Sequence, residues 1–251
     1  MQEKEIFLSL GILTQMGAYE ELLEFFKERY SNDSATLSGV ISDLQESVST
    51  STKGLEYIRY AGYAKWLFGA FPPIQEPLVL SELNRKVIIH NGAVNIKSGI
   101  DGDPIIISNG DLDIDGKANL SGHARIWASG AIDIKNIKTD DSTDIWSGKS
   151  IKAINIAAKG HGGIRARNII DATNIALCGC VTLSTKDIKT KNLLANGYVD
   201  IWVDRTIDTV YIAVREHASI MAYEINTQKI MDESKTRVHS NINLIKPSSN
   251  Q

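Results

Sequence analysis

The sequence predicts a mainly β fold, a right-handed parallel β-helix (β-solenoid) of about eight 19-residue coils behind an N-terminal α-helical domain. Three observations carry this. Ile88, Ile107, Ile126, Ile145, Ile164 and Leu183 recur 19 residues apart, and Ile201 and Ile220 continue at spacings of 18 and 19. Within each repeat the apolar residues alternate with polar ones, the period of a strand. Before the repeat begins, the apolar spacing is instead that of helices.

Residues 1–71 read as a helical bundle or cap. Leu37, Val40, Ile41, Leu44 and Val48 fall on one helical face, and Ser31–Ser34 supply N-cap candidates before them. Leu22, Leu23, Phe26 and Tyr30 form a similar stripe, after a shorter segment carrying Ile6, Phe7 and Leu10. A last helix is expected from Thr52 to Phe68, and Phe71-Pro72-Pro73 ends it because proline lacks the amide that a helix needs. Residues 72–86 read as a linker.

The solenoid is expected over 87–230. Ile126-Trp127-Ala128, Ile132-Asp133-Ile134 and Asn136-Ile137 are answered one repeat later by Ile145-Trp146-Ser147, Ile151-Lys152-Ala153 and Asn155-Ile156. Each repeat thus holds three short strands, with isoleucine inward and polar residues outward. The inward steps of six, five and eight residues, from Ile126 to Ile132 to Ile137 to Ile145, favour the right-handed form over the even left-handed hexapeptide type. Residues 231–251 read as a C-terminal cap or tail, with Val238, Ile242, Leu244 and Ile245 available to cover the end of the stack.

Composition narrows the function. A net charge of -3 gives no general attraction to nucleic acid or to acidic membrane, and no apolar run reaches a bilayer-spanning length. The acidic start, Met-Gln-Glu-Lys-Glu, is unlike a signal peptide, so the expected location is cytoplasmic. Cys178 and Cys180 flank one glycine, too close for an unstrained disulfide, and read as free thiols. Walker, Rossmann and nucleophile-elbow motifs do not occur.

Most outward columns have a structural explanation. Asn95, Asp113, Asp133, Lys152, Asp171, Lys189, Asp208 and Asn226 stack on the second strand, alternating in sign from Asp133 to Asp208, as a ladder of surface ion pairs would. Asn119, Asn136, Asn155, Asn174 and Asn192 read as an amide ladder at a bend. Asp111, Asp113 and Asp115 lie at a spacing near that of a glycosidase pair, but nothing implies a cleft around them. His123, His161, Cys180, Tyr198 and His217 align in a straight column, which does not converge on a metal. No catalytic residue, metal or cofactor is expected.

The first strand's outward column differs: Trp127, Trp146, Arg165, Ser184, Trp202 and Met221. An outward indole leaves a large apolar face in water unless something covers it. Arg125, Asp144, Arg167, Asp200 and Asp204 flank the column, and aromatics among arginines are the composition of interface hot spots. The cover is either a partner or the chain's own N-terminal or C-terminal segment.

Residues 87–230 resemble short-coil bacterial β-solenoids, namely the bactofilin cytoskeletal domain and the repeats of filamentous-haemagglutinin-type adhesins. Asn109-Gly110-Asp111-Leu112-Asp113-Ile114-Asp115-Gly116 and Ala128-Ser129-Gly130-Ala131-Ile132-Asp133-Ile134 carry the likeness. The helical bundle departs from the bactofilins, which usually have disordered tails, and the adhesins are far longer. The resemblance implies a β-solenoid and leaves function open.

The expectation is therefore a non-enzymatic interaction or scaffold protein. It would present Trp127, Trp146 and Trp202 to a protein partner or to its own copy, with the helical domain capping the N-terminal end. A carbohydrate-binding or polysaccharide-processing β-helix and an immunity-type inhibitor of a bacterial toxin are the alternatives.

Overall fold

The computed structural model describes residues 5–32, 34–51, 56–84, 86–234 and 238–244. It shows a parallel β-solenoid of about eight turns, with four helices at the N-terminus.

Isoleucine builds the stack because its branched side chain suits a pleated surface packed on one side. In the first sheet Ile88, Ile106, Ile126, Ile145, Ile164, Leu183, Ile201 and Ile220 pair in register, coil upon coil. Inward columns of the second and third sheets meet them in one continuous core that runs the length of the stack. Ile132, Ile151 and Ile170 lie in the second sheet, and Ile137, Ile156 and Ile175 in the third.

The register corrects the even series. Ile106, not Ile107, follows Ile88, so the first step is 18 residues and the next, to Ile126, is 20. The two departures sum to the expected 38 and hide each other. The longer step contains a register shift, where Ile134 pairs with Ile114 but Asn136 pairs with Lys117. Asn119 lies outside the amide ladder, because it pairs with Lys138 rather than Asn136, and it donates instead to Asp101 at 2.7 Å. The ladder itself runs Asn136, Asn155, Asn174, Asn192, each amide donating to the one before at 2.7–2.8 Å.

Strand pairing passes both boundaries drawn from the pattern. Leu78–Leu80 already pairs with Val94–Ile96, inside the expected linker. Lys229–Ser234 and Val238–Leu244 continue the parallel ladder, with Val238 in register with Ile220 and Ile242 with Ile225. Ile245 lies outside the described residues.

Between the third and first sheets seven corners among the described residues turn through a left-handed residue: Gly102, Gly122, Asp141, Gly160, Gly179, Gly197 and Glu216, with φ from 55° to 94°. Glycine adopts this conformation without the Cβ clash that penalises other residues. At Gly179 a Cβ would also lie 2.9 Å from the Gly160 carbonyl oxygen, so the corner needs glycine for both dihedral and stacking reasons.

The helices α1 (Leu10–Gln15), α2 (Glu20–Arg29), α3 (Leu37–Thr50) and α4 (Glu56–Ala70) pack by the faces their spacing marks. Leu37, Val40, Ile41, Leu44 and Val48 are all buried in α3. Its N-cap is Thr36, whose hydroxyl accepts from Gly39 N–H at 3.1 Å, and not the Ser31–Ser34 run. Ser34–Thr36 instead pairs antiparallel with Phe7–Ser9, which leaves Phe7 exposed. The expected helix start at Thr52 lies outside the described residues. No helix among the described residues is long and apolar enough to cross a membrane.

The bundle packs on the first coils of the solenoid, α3 against Val87–His90 and α4 against Ile105–Ser108. Val87, Ile89 and Ile107 are buried in the bundle's own core cluster, with Ile105 and Trp127 packed at its margin. One contact does protect an edge: Gln45 of α3 accepts the Ile89 N–H at 3.0 Å.

Candidate functional site: the outward face of the first sheet

One outward column of the first sheet reads Ile89, Ile107, Trp127, Trp146, Arg165, Ser184, Trp202, Met221 from first coil to last. Beside it runs Val87, Ile105, Arg125, Asp144, Gly163, Thr182, Asp200, Ser219. The first column changes from apolar, through aromatic, to charged and polar, and carries Trp202 and Met221 near the C-terminal end, while the second changes from apolar to charged and polar.

The structure divides the expected tryptophan face in two. Trp127 and Trp146 stack with ring centroids 5.0 Å apart and planes at 5°. Phe68 of α4 approaches Trp127 with centroids 6.3 Å apart, and Lys65 sets its ammonium 5.8 Å from the same ring. Arg125 donates to Asp144 at 2.6 Å beside the stacked indoles. Burial lowers the Lys65 pKa, Arg125 adds to the effect, and Asp144 opposes it. Three of the expected residues, Trp127, Arg125 and Asp144, therefore interact with α4, and Trp146 joins them by stacking on Trp127. For Trp127 the cover is intramolecular.

Trp202 stands three coils beyond Trp146, about 14 Å along the stack, and is 49% exposed. Met221 follows it in register, and Tyr223, at 72% exposure, lies two residues further along the same strand. Asp200 accepts from the Ser219 hydroxyl at 2.6 Å, while Asp204 projects from the Trp202 strand into solvent. Arg165 and Arg167 are exposed between the two aromatic groups. Trp202, Asp200 and Asp204 thus form a second group with Met221 and Tyr223, separate from the first.

Reading the sequence missed Val87, Ile89, Ile105 and Ile107 as outward residues. Val87-Ile88-Ile89 and Ile105-Ile106-Ile107 do not alternate, and an unbroken apolar run is the mark of a strand buried on both faces. The second apolar face of these two strands is the one the bundle covers.

The other columns are accounted for by the stack. Asp111 accepts from Ala131 N–H at 2.7 Å, and Asp115 pairs with Lys97 at 3.3 Å. Desolvation raises the Asp113 pKa, with the like charges of Asp115 and Asp133 adding to it and Lys97 and Lys135 opposing. In the charge ladder Lys152 lies 3.9 Å from Asp133, both exposed, and Asp208 accepts from Asn226 at 2.9 Å. His161 and Cys180 are in register, and Tyr198 stacks on His217 at 4.8 Å. Among the described residues no three histidine, cysteine or carboxylate side chains converge as a metal site would require. No protein-family model matches the chain, and no curated protein or solved structure matches it significantly.

Proposed function

We propose that this chain is a non-enzymatic interaction or scaffold protein whose partner protein binds the C-terminal half of the first sheet's outward face. The observation that carries the reading is the pairing of Trp202 and Met221, 49% and 45% exposed, on adjacent coils of a rigid stack, with Tyr223 beside them. Large side chains of this kind are the usual anchors of an interface, and burying one indole contributes more than any of the surrounding polar contacts. Arg165 and Arg167 on one side and Asp200 and Asp204 on the other supply charges of both signs for specificity. We place the protein in the cytoplasm, where Cys178 and Cys180 would stay as the free thiols they form here.

The carbohydrate reading is less favoured, because Trp127 and Trp146 stack on each other and Phe68 packs against Trp127. Affinity capture from the producing cells tests the proposal, comparing the wild-type chain with Trp202→Ala/Tyr223→Ala and with Trp146→Ala. A partner held by the wild type and by Trp146→Ala but lost from the double variant is the expected result. A captured set indifferent to Trp202 and Tyr223 would remove this face from consideration.

A further inference from the structure

A trough of about 540 Å³ crosses the outward face of the third sheet, away from the tryptophans. Its floor is one residue per coil in register: Ala157, Ala176, Leu194 and Ala213. Lys138 holds the same column one coil earlier and Met231 one coil later. The furrow exists because this column carries mostly alanine while Lys159, Cys178, Asn196 and Arg215 stand beside it. From Lys138 to Ala213 it spans four coil steps, or about 19 Å.

The floor offers methyl groups and no free hydrogen-bonding group, since its amides and carbonyls belong to the inter-coil ladder. A peptide strand cannot add here, because strand addition needs an open edge. A sugar would leave hydroxyls unpaired against the alanines. A bilayer would need side chains that protrude, and this floor is recessed. An alkyl chain needs only apolar contact. One leaflet of a bilayer, half of its roughly 30 Å hydrocarbon thickness, sets an acyl chain at about 15 Å, within the length of the trough.

The two ends differ in charge. At one, Lys138 and Lys159 are exposed and make no ion pair among the described residues. Their positions are diagonal neighbours on adjacent coils, about 7–8 Å apart at the backbone and within joint reach of one anion. Asp140 lies at this end too, its carboxylate accepting the Asp141 N–H at 3.0 Å. At the other end the Tyr211 hydroxyl meets Met231 Sδ at 3.6 Å, and Glu233 holds Arg215 at 3.3 Å. We propose that the trough binds one long-chain fatty acid, its alkyl chain along Ala157 to Ala213 and its carboxylate on Lys138 and Lys159.

The test is displacement of dansyl-undecanoic acid from the full chain by sodium palmitate below its micelle-forming concentration, with palmityl alcohol as the uncharged competitor. Saturable one-to-one binding is expected, retained in Trp202→Ala. Ala176→Trp should abolish it by filling the floor, and so should Leu194→Asp, an independent change at an outward position 41% exposed. Lys138→Glu/Lys159→Glu should weaken palmitate at least about tenfold, the loss of one charge-assisted contact. Binding that survives both floor variants, with circular dichroism unchanged, overturns the proposal. So does the absence of saturation, or a competitor alcohol as effective as palmitate.

Discussion

Trp127 and Trp146 lie face to face on adjacent coils, 5.0 Å apart, and of the two it is Trp127 that Phe68 and Lys65 of α4 reach. Trp127 is thus part of the joint between bundle and solenoid. Truncation to alanine removes packing on both sides, and about 2–4 kcal/mol of stability should go with it. Trp202→Ala, at a half-exposed site, should change stability by less than about 1 kcal/mol. Urea unfolding of the two variants measures the contrast, and equal losses would argue against the division of the face.

Lys65 gives this joint a pH signature. Its pKa is lowered by burial, so between that value and the ordinary lysine range the unfolded chain binds more protons than the folded one. Stability should therefore rise as pH increases through the lowered pKa, until the unfolded lysine also loses its proton. Lys65→Met should abolish the rise, as thermal denaturation at a series of alkaline pH values would show.

The corner column predicts an asymmetry between two substitutions. Gly179→Ala forces a Cβ into a left-handed residue and toward the Gly160 carbonyl, and should cost about 1–3 kcal/mol. Asp141→Gly, at φ 55° in the same column, relieves strain but removes the carboxylate that accepts the Gly122 N–H at 3.2 Å, and should stay within about 1 kcal/mol of the wild type. Chemical denaturation of the pair decides whether this corner sets the coil.

Gln45 guards the first coil's edge. Gln45→Leu leaves the Ile89 N–H without its acceptor in a buried setting, a loss of about 1–3 kcal/mol. Because an orphaned strand edge invites pairing, light scattering should also show more self-association than in the wild type.

Architecture was legible because a stack repeats its needs: isoleucine inward, asparagine at one bend, and a fixed return. The errors arose where repeats compensate. Ile107 fitted the 19-residue count only because a short coil precedes a long one, and the register shift after Ile134 that lengthens the second leaves no mark in spacing alone. The tryptophan column was visible, but its partition was not, since what covers Trp127 depends on where α4 comes to rest. The third-sheet trough went unseen for a simpler reason. Alanine at Ala157 and Ala176 looks unremarkable in sequence, and only stacking places it between longer side chains.

Oxidative footprinting of the chain, alone and in complex with the protein it captures, tests the interaction face most directly. Trp202, Met221 and Tyr223 should lose reactivity on binding, while Tyr19, 53% exposed on the bundle, keeps it. Unchanged oxidation at Trp202 and Met221, with protection confined to the bundle, would contradict the assignment of this face.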